Sequence, residues 1–311
     1  MKASIPLLVI AGPTATGKSA LAVALAERLG GEILSADSMQ VYKYMDIGTA
    51  KVEGPLRARV PHHLLDLVEP NEDFSLAQYK EAADGVIGEI WERRRLPIMV
   101  GGTGLYIKAV LENYPLAQLP YDPACRARLN REWDQGGREQ MVLRLAEADP
   151  QAALTARDRR RIIRALEVYE LTGRSQSEIQ EQAKEDSPYC PAVFALTLPR
   201  PLLYERIDAR AESMVIQGLI GEYTGLIEGG YSPRAKAMQG LGYYHAGMHL
   251  AGCWTLPEMV ANLQRDTRRY AKRQLSWFRG MAVTWIDNSC PEESLERVFF
   301  TVAGKLPAIS E

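Results

Sequence analysis

Cysteine is scarce and scattered in this chain. Cys125, Cys190, Cys253 and Cys290 are the only four among 311 residues, and no two of them stand as C-x-x-C. That pattern argues against a disulfide framework and against a zinc site, and it fits a reducing compartment. No apolar stretch is long enough to cross a bilayer, and the run after Met1-Lys2 is too short for a signal peptide. A cytoplasmic protein with no membrane partner is therefore expected. An excess of one charge is missing too: the net charge is −2, so any nucleic acid must be held by local basic patches. The sequence has no internal repeat and no low-complexity segment, and nothing in it calls for an obligate protein partner.

What is present belongs to an ordinary globular chain, 46% hydrophobic and 24% charged, long enough for one large domain or two. Its most informative stretch is Gly12, Pro13, Thr14, Ala15, Thr16, Gly17, Lys18 and Ser19, a full match to G-x-x-x-x-G-K-[ST]. The match follows the apolar run Ile5–Ala11 and opens the Ala/Leu-rich segment Ala20–Leu29. Strand, glycine-bounded loop and helix in that order make a diphosphate- or nucleotide-binding loop, the P-loop shared with ATP-binding proteins. Backbone N–H groups and the positive helix end attract the anion. Lys18 supplies a cation to the terminal phosphate, and Ser19 a hydroxyl for Mg²⁺.

Glu32–Ser38 reads as a second strand, Ser75–Arg95 as a long helix, and Leu96–Gly101 as a third strand closing in Gly-Gly-Thr-Gly. Such alternation predicts a parallel sheet flanked by helices, with ligands beyond the carboxyl ends of the strands. The P-loop, Asp37 and Gly101–Gly104 should then share one cleft. From Asp122 to Glu185 the pattern is helical throughout. A strand returns at Ala192–Leu198, followed by a helix over Leu202–Gly229, a last long helix over Leu256–Arg279 and a closing strand at Val283–Asp287. The predicted fold is α/β: a P-loop-type parallel sheet flanked by helices (residues 1–115 and 191–311), with an inserted all-helical module at 116–190.

Asp37, at the end of the second strand, is either a Mg²⁺ ligand or general base facing the P-loop, or a turn-capping Asp. Thr103 lies among glycines that let a ligand approach the backbone, or simply form a turn. The strand Pro97–Val100 ends in Gly-Gly-Thr where P-loop ATPases and GTPases place a Mg²⁺-binding Asp. Metal binding would then rest on Ser19 and the phosphates, which weakens the reading as an ATPase or GTPase, while a nucleotide or small-molecule kinase stays the alternative. Two segments suit RNA. On the helix after Asp158, Arg161, Arg164 and Ala165 fall on one face while Ile162, Ile163 and Leu166 pack inward. Arg265–Arg279 sets six basic residues against Asp266, interleaved with Tyr270, Trp277 and Phe278, which could stack unpaired bases. A solvated, salt-bridged face is the plainer alternative for each. The pair His62-His63 has poor chelating geometry and reads as a packed or hydrogen-bonded loop element. His245 and His249 lack a third ligand. Arg206 and Arg210 either reach phosphates, as lid arginines do, or form a surface face.

Taken together these residues resemble one family, the bacterial tRNA dimethylallyltransferases. The motifs are GPTATGKS at Gly12–Ser19, DSMQVY at Asp37–Tyr42, GTAK at Gly48–Lys51 and PHHLLD at Pro61–Asp66. They continue with GGTGLYI at Gly101–Ile107, RIIRALEV at Arg161–Val168 and RQLSWFR at Arg273–Arg279. The resemblance implies transfer of a dimethylallyl group from dimethylallyl diphosphate to N6 of the adenosine 3′ of the anticodon, with Mg²⁺ as cofactor. It implies that Asp37 is the general base, that Thr103 lines the donor channel, and that Lys18 belongs with them to the catalytic set. It also implies contacts with the tRNA anticodon stem-loop at Thr103, at Asp37, Ser38, Met39 and Gln40, and at Arg161, Ile162, Ile163, Arg164 and Ala165. Further contacts are implied at Gly242, Tyr243, Tyr244, His245, Ala246 and Gly247, at Leu275, Ser276, Trp277, Phe278, Arg279, Gly280, Met281 and Ala282, and near Cys125. Tyr244 stands where the family often has a basic residue, and Val52 where it has proline.

Overall fold

A computed structural model describes residues 4–52, 54–116, 119–155, 158–185 and 187–304. Chain order begins with β1 (Ile5–Ala11), α1 (Lys18–Leu29), β2 (Gly31–Ser35), the single turn α2 (Gly54–Arg57), β3 (His62–His63), α3 (Leu76–Glu92), β4 (Leu96–Gly101) and α4 (Gly104–Leu111). Helices α5 (Pro123–Glu132), α6 (Arg138–Ala148), α7 (Pro150–Thr155), α8 (Arg159–Thr172) and α9 (Gln176–Glu185) follow. The chain then returns through β5 (Tyr189–Thr197), α10 (Arg200–Ile216), α11 (Leu219–Glu228), α12 (Leu241–Leu250), α13 (Leu256–Arg279), β6 (Thr284–Asp287) and α14 (Pro291–Ala303). Two compact units result, one spanning Lys108–Pro188 and the other built from the segments on either side of it.

The larger unit holds a six-stranded sheet in the order β3-β2-β4-β1-β5-β6, every pair parallel. Continuous apolar runs are what a strand covered on both faces requires, and Leu7–Ala11 and Ile98–Met99 are fully buried. The sheet's main core joins Leu8, Ile10, Ile33, Ile98, Phe194 and Ile286 to Leu21, Leu25, Val298 and Val302 of the helices. Register aligns the carboxyl ends: Ala11 lies beside Gly101, and Ser35 beside Val100. The loops leaving β1, β4 and β2 therefore emerge side by side. Close contact between the last two fixes Gly101, where a Cβ would lie 2.1 Å from the Ala36 carbonyl oxygen.

The smaller unit, helical among its described residues, packs Leu129, Met141, Leu145, Ile162, Ile163 and Leu166 into a core of its own. Trp133–Gly137 forms a π-type turn between α5 and α6. Among the described residues no helix is long and apolar enough to cross a membrane.

Several elements differ from the sequence reading. β2 stops at Ser35 rather than Ser38, because beyond it the Asp37 carboxylate accepts the Met39 N–H at 2.9 Å and turns the chain. The helix expected over Leu202–Gly229 is two helices, α10 and α11, broken at Gly218 with φ 105°. His62-His63 is an edge strand on β2, too short for alternation to reveal. Ala165 is buried in the smaller unit's core with Ile162 and Ile163, not on the face of Arg161 and Arg164.

Gly101→Ala should force β4 away from the Ala36 backbone. A loss of roughly 1–3 kcal/mol, the usual cost of overpacking, is expected by chemical denaturation.

Candidate active site

The loop after β1 is held from several elements. The Thr16 hydroxyl donates to the Pro13 carbonyl at 2.8 Å, and Lys18 Nζ donates to the same oxygen at 2.7 Å. Asn288 Nδ2, just past β6, donates to the Thr16 carbonyl at 2.8 Å. Arg210 Nη1, from α10, donates to Thr14 Oγ1 at 3.0 Å. The loop is thus braced before any ligand arrives, as an electrostatic site needs to be.

A cleft of about 430 Å³ opens at these strand ends. Thr14, Lys18 and Ser19 line it together with Asp37–Gln40, Gly48–Ala50, Gly101–Gly102, Arg210 and Gly240–Tyr243. Small-molecule sites are usually about 300–1,000 Å³, so the cleft has the size of such a site.

Its electrostatics rest on three charged groups. Burial, with the Arg210 charge added, pulls the Lys18 ammonium down to about 7, and Asp37 opposes the shift. Burial also raises the Asp37 carboxyl above its ordinary value, against the Met39 and Gln40 N–H groups and the Lys18 and Arg210 charges. Burial lowers Arg210 and Asp37 opposes it. Each group is pushed toward its neutral form by the dry surroundings and toward its charged form by an opposite neighbour. Perturbation of this kind marks a functional cleft.

The face of α13 that closes the cleft repeats at helical spacing: Leu263, Thr267, Tyr270 and Gln274. Gln274 is buried and uses both ends of its amide. Its Oε1 accepts the Thr14 N–H at 3.0 Å, and its Nε2 donates to the Gly102 carbonyl at 3.0 Å. One side chain thereby ties the P-loop to the turn after β4. Thr103 does not itself line the cleft. Its hydroxyl accepts the Ser38 N–H at 3.0 Å and donates to Ser38 Oγ at 3.3 Å, so it fixes the turn that carries Asp37.

For Mg²⁺ the donor set is short but suitable. Ser19 and Asp37 bring oxygen ligands to the same cleft, and among the described residues no group of three His, Cys, Asp or Glu side chains could hold a metal alone. Mg²⁺ favours such sharing between a few protein oxygens, waters and substrate phosphates.

The expected RNA-facing segments are not uniformly exposed. On α13, Trp277 and Arg279 are exposed but Phe278 is fully buried and cannot stack a base. Tyr270 faces the cleft. The basic stripe is partly neutralised: Arg265 and Arg269 each pair with Asp266, and Arg268 with Asp208. On α12, Tyr244 is exposed, while Tyr243, Ala246 and His245 are buried, the last between the Leu241 carbonyl and Asp266. In the smaller unit Arg161 is exposed beside Asp158. Arg164 donates to the Pro120 carbonyl at 2.8 Å and to Glu167 at 2.7 Å. Cys125 is buried against Glu170 and Arg128. Of the residues left open by the sequence, Arg210 proves to be part of the cleft, and Gln274 was missed. The signal for Gln274 was the four-residue cleft stripe, masked by the basic stripe on the same helix.

Comparison with known proteins bears on this cleft. A family model described as IPP transferase matches residues 40–281, and one described as Isopentenyl transferase matches residues 5–56. The tRNA dimethylallyltransferase of Symbiobacterium thermophilum is 46% identical over 291 residues, covering 93% of this chain and 91% of that one. The enzyme of that name from Bacillus licheniformis is 43% identical over 311 residues, covering 98% and 99%. Among solved structures, a full-length tRNA isopentenylpyrophosphate transferase from Bacillus halodurans is 41% identical with a TM-score of 0.74, covering 98% of each chain. A eukaryotic dimethylallyltransferase acting on tRNA is 26% identical with a TM-score of 0.78, covering 93% of this chain and 75% of that one.

Two outcomes are expected of the cleft. A lysine lowered to about 7 is protonated below that pH and neutral above it, whereas a bound diphosphate favours the cation. Diphosphate binding without metal should therefore take up a proton, and affinity should fall by up to about ten-fold per pH unit above 7. Calorimetry should find the excess slope absent from Lys18→Met. Gln274→Leu should cost about 1–3 kcal/mol for each backbone group it leaves unpaired, seen as a lower Tm and weaker diphosphate binding.

Proposed function

The chain belongs to the IPP transferase family of tRNA dimethylallyltransferases, and from that premise we propose that it transfers a dimethylallyl group from dimethylallyl diphosphate to N6 of the adenosine 3′ of the anticodon in tRNA. The observation that carries this reading is the position of Asp37 in one cleft with Lys18 and Arg210. Two cations suit a diphosphate, and the carboxylate beside them suits a proton acceptor.

An adenine amino group is a weak nucleophile because its lone pair is delocalised into the ring. Buried in the stacked anticodon loop it is also out of reach, and unstacking costs a few kcal/mol. Once the base enters the cleft, N6 attacks the first carbon of the donor while the bond from that carbon to the diphosphate oxygen breaks. The N6 proton passes to Asp37 Oδ, and diphosphate leaves. The raised Asp37 carboxyl is a stronger base than an ordinary aspartate, which helps it take this proton. Lys18 and Arg210 stabilise the negative charge that builds on the leaving oxygens. Mg²⁺, held by Ser19 and diphosphate oxygens, would add positive charge to the same leaving group. Thr103 keeps the Asp37 turn in place through Ser38. Arg161 of the smaller unit and the exposed residues of α13 in the larger one are each proposed to contact the anticodon stem-loop.

The test supplies unmodified tRNA, Mg²⁺ and either prenyl-labelled dimethylallyl diphosphate or ATP labelled in its terminal phosphate. Prenyl label on the tRNA supports the reading. Label from ATP alone would make the protein a kinase, and no label a binding module. Asp37→Ala should lower turnover by about 10²–10⁴-fold with donor binding retained, whereas Lys18→Ala should weaken donor binding as well. Near-normal turnover in the Asp37 variant removes it from the base role.

A further inference from the structure

Glu222 takes no part in the chemistry above, yet its carboxylate collects four hydrogen bonds. Its Oε2 accepts from the backbone N–H groups of Asp46 and Ile47, each at 2.9 Å, and its Oε1 from the N–H of Gly48 at 3.0 Å. The Tyr243 hydroxyl donates to the same Oε1 at 2.5 Å. Three successive N–H groups converging on one anion form a nest of the kind that elsewhere captures phosphate. Here the anion is the protein's own. It sits near the start of α11, where the helix dipole favours negative charge.

Two of the partners of Glu222, Gly48 and Tyr243, lie in segments that line the cleft, Gly48–Ala50 and Gly240–Tyr243, and Asp46 and Ile47 directly precede the first of them. These segments touch: a Cβ on Gly48 would lie 2.6 Å from the Tyr243 ring. Gln40 ties the first of them to the Asp37 turn, its Nε2 donating to the Thr49 and Ala50 carbonyls at 3.4 and 3.3 Å. Buried Lys51 completes the loop, donating to the Tyr42 carbonyl at 2.6 Å, to Asp66 at 2.6 Å and to Asp46 at 2.7 Å. The phosphate-binding part of the cleft is braced separately, through Arg210, Gln274 and Asn288.

We propose that Glu222 is a positioning residue that shapes the acceptor side of the cleft. By pinning Asp46–Gly48 to Tyr243 it sets the wall against which the acceptor nucleoside lies, and so governs tRNA use without touching either substrate. The inference rests on the prenyl-transfer reading above, since it is that reaction which gives the cleft an acceptor side.

The experiment measures steady-state prenyl transfer and, separately, calorimetric binding of inorganic diphosphate with Mg²⁺, for wild type, Glu222→Gln and Tyr243→Phe. Glu222→Gln keeps the shape of the side chain but turns one acceptor atom into a donor facing N–H groups. The KM for tRNA should rise roughly ten-fold, as expected for loss of a charge-assisted hydrogen bond, with diphosphate affinity unchanged. Tyr243→Phe should raise the tRNA KM by a smaller factor, and it decides the matter if Glu222→Gln does not fold. An unchanged tRNA KM in folded variants overturns the proposal, as does a parallel fall in diphosphate affinity, the mark of a merely structural role. A wild-type chain that binds diphosphate but transfers no prenyl group to tRNA overturns the functional reading instead, and this proposal with it.

Discussion

The arrangement on which the rest depends is the gathering of one carboxylate, Asp37, with two cations, Lys18 and Arg210, all half-buried in one cleft at the carboxyl ends of three adjacent strands. Taking charges out of water is costly, and removing one partner leaves the others uncompensated. The shifts of all three groups toward neutrality record that cost. A diphosphate entering this cleft brings the anionic charge that lets Lys18 regain its proton. It also adds negative potential at Asp37, which sharpens its appetite for a proton. The same burial thus serves the leaving group and the base.

A site of this kind works only if its groups are held still. The fold holds them with few side chains, each bridging distant segments. Gln274 clamps the P-loop to the turn after β4, Thr103 fixes the turn of Asp37, and Asn288 braces the Thr16 carbonyl. Glu222 does the equivalent for the loop after that turn. None of these four residues needs to touch a substrate to matter for the reaction.

How far the site could be read from sequence follows from that division. The P-loop and Asp37 were legible because their signal is local: apolar runs, glycine-bounded loops and the motif itself fix β1, α1 and β4 to within a residue or two. The bridging residues Gln274, Asn288 and Glu222 were not, because their partners lie far off in the chain; Gln274 and Thr14 are 260 positions apart. Thr103 stood out for its glycine neighbours, but its bridge to Ser38 did not. Arg210 stayed ambiguous for the same reason, since a helix face says nothing of what it meets. Other errors were ones of phase. Ala165 and Phe278 share helices with exposed arginines, and only packing shows that both turn inward. The break at Gly218 was hidden because a single glycine in an apolar helical pattern is usually tolerated. The paired histidines His62-His63 form a two-residue strand whose identity comes wholly from pairing with β2.

The central claim is that Asp37, raised by its dry and charged surroundings, accepts the proton of the acceptor amine while the cations beside it hold the leaving diphosphate. The pH dependence of single-turnover prenyl transfer, with enzyme saturated by donor and tRNA, tests it most directly. The rate should rise with pH through one ionisation centred above the ordinary carboxylate range, and that limb should vanish in Asp37→Asn. A rate independent of pH in the wild type, or a limb that survives in Asp37→Asn, would contradict the account.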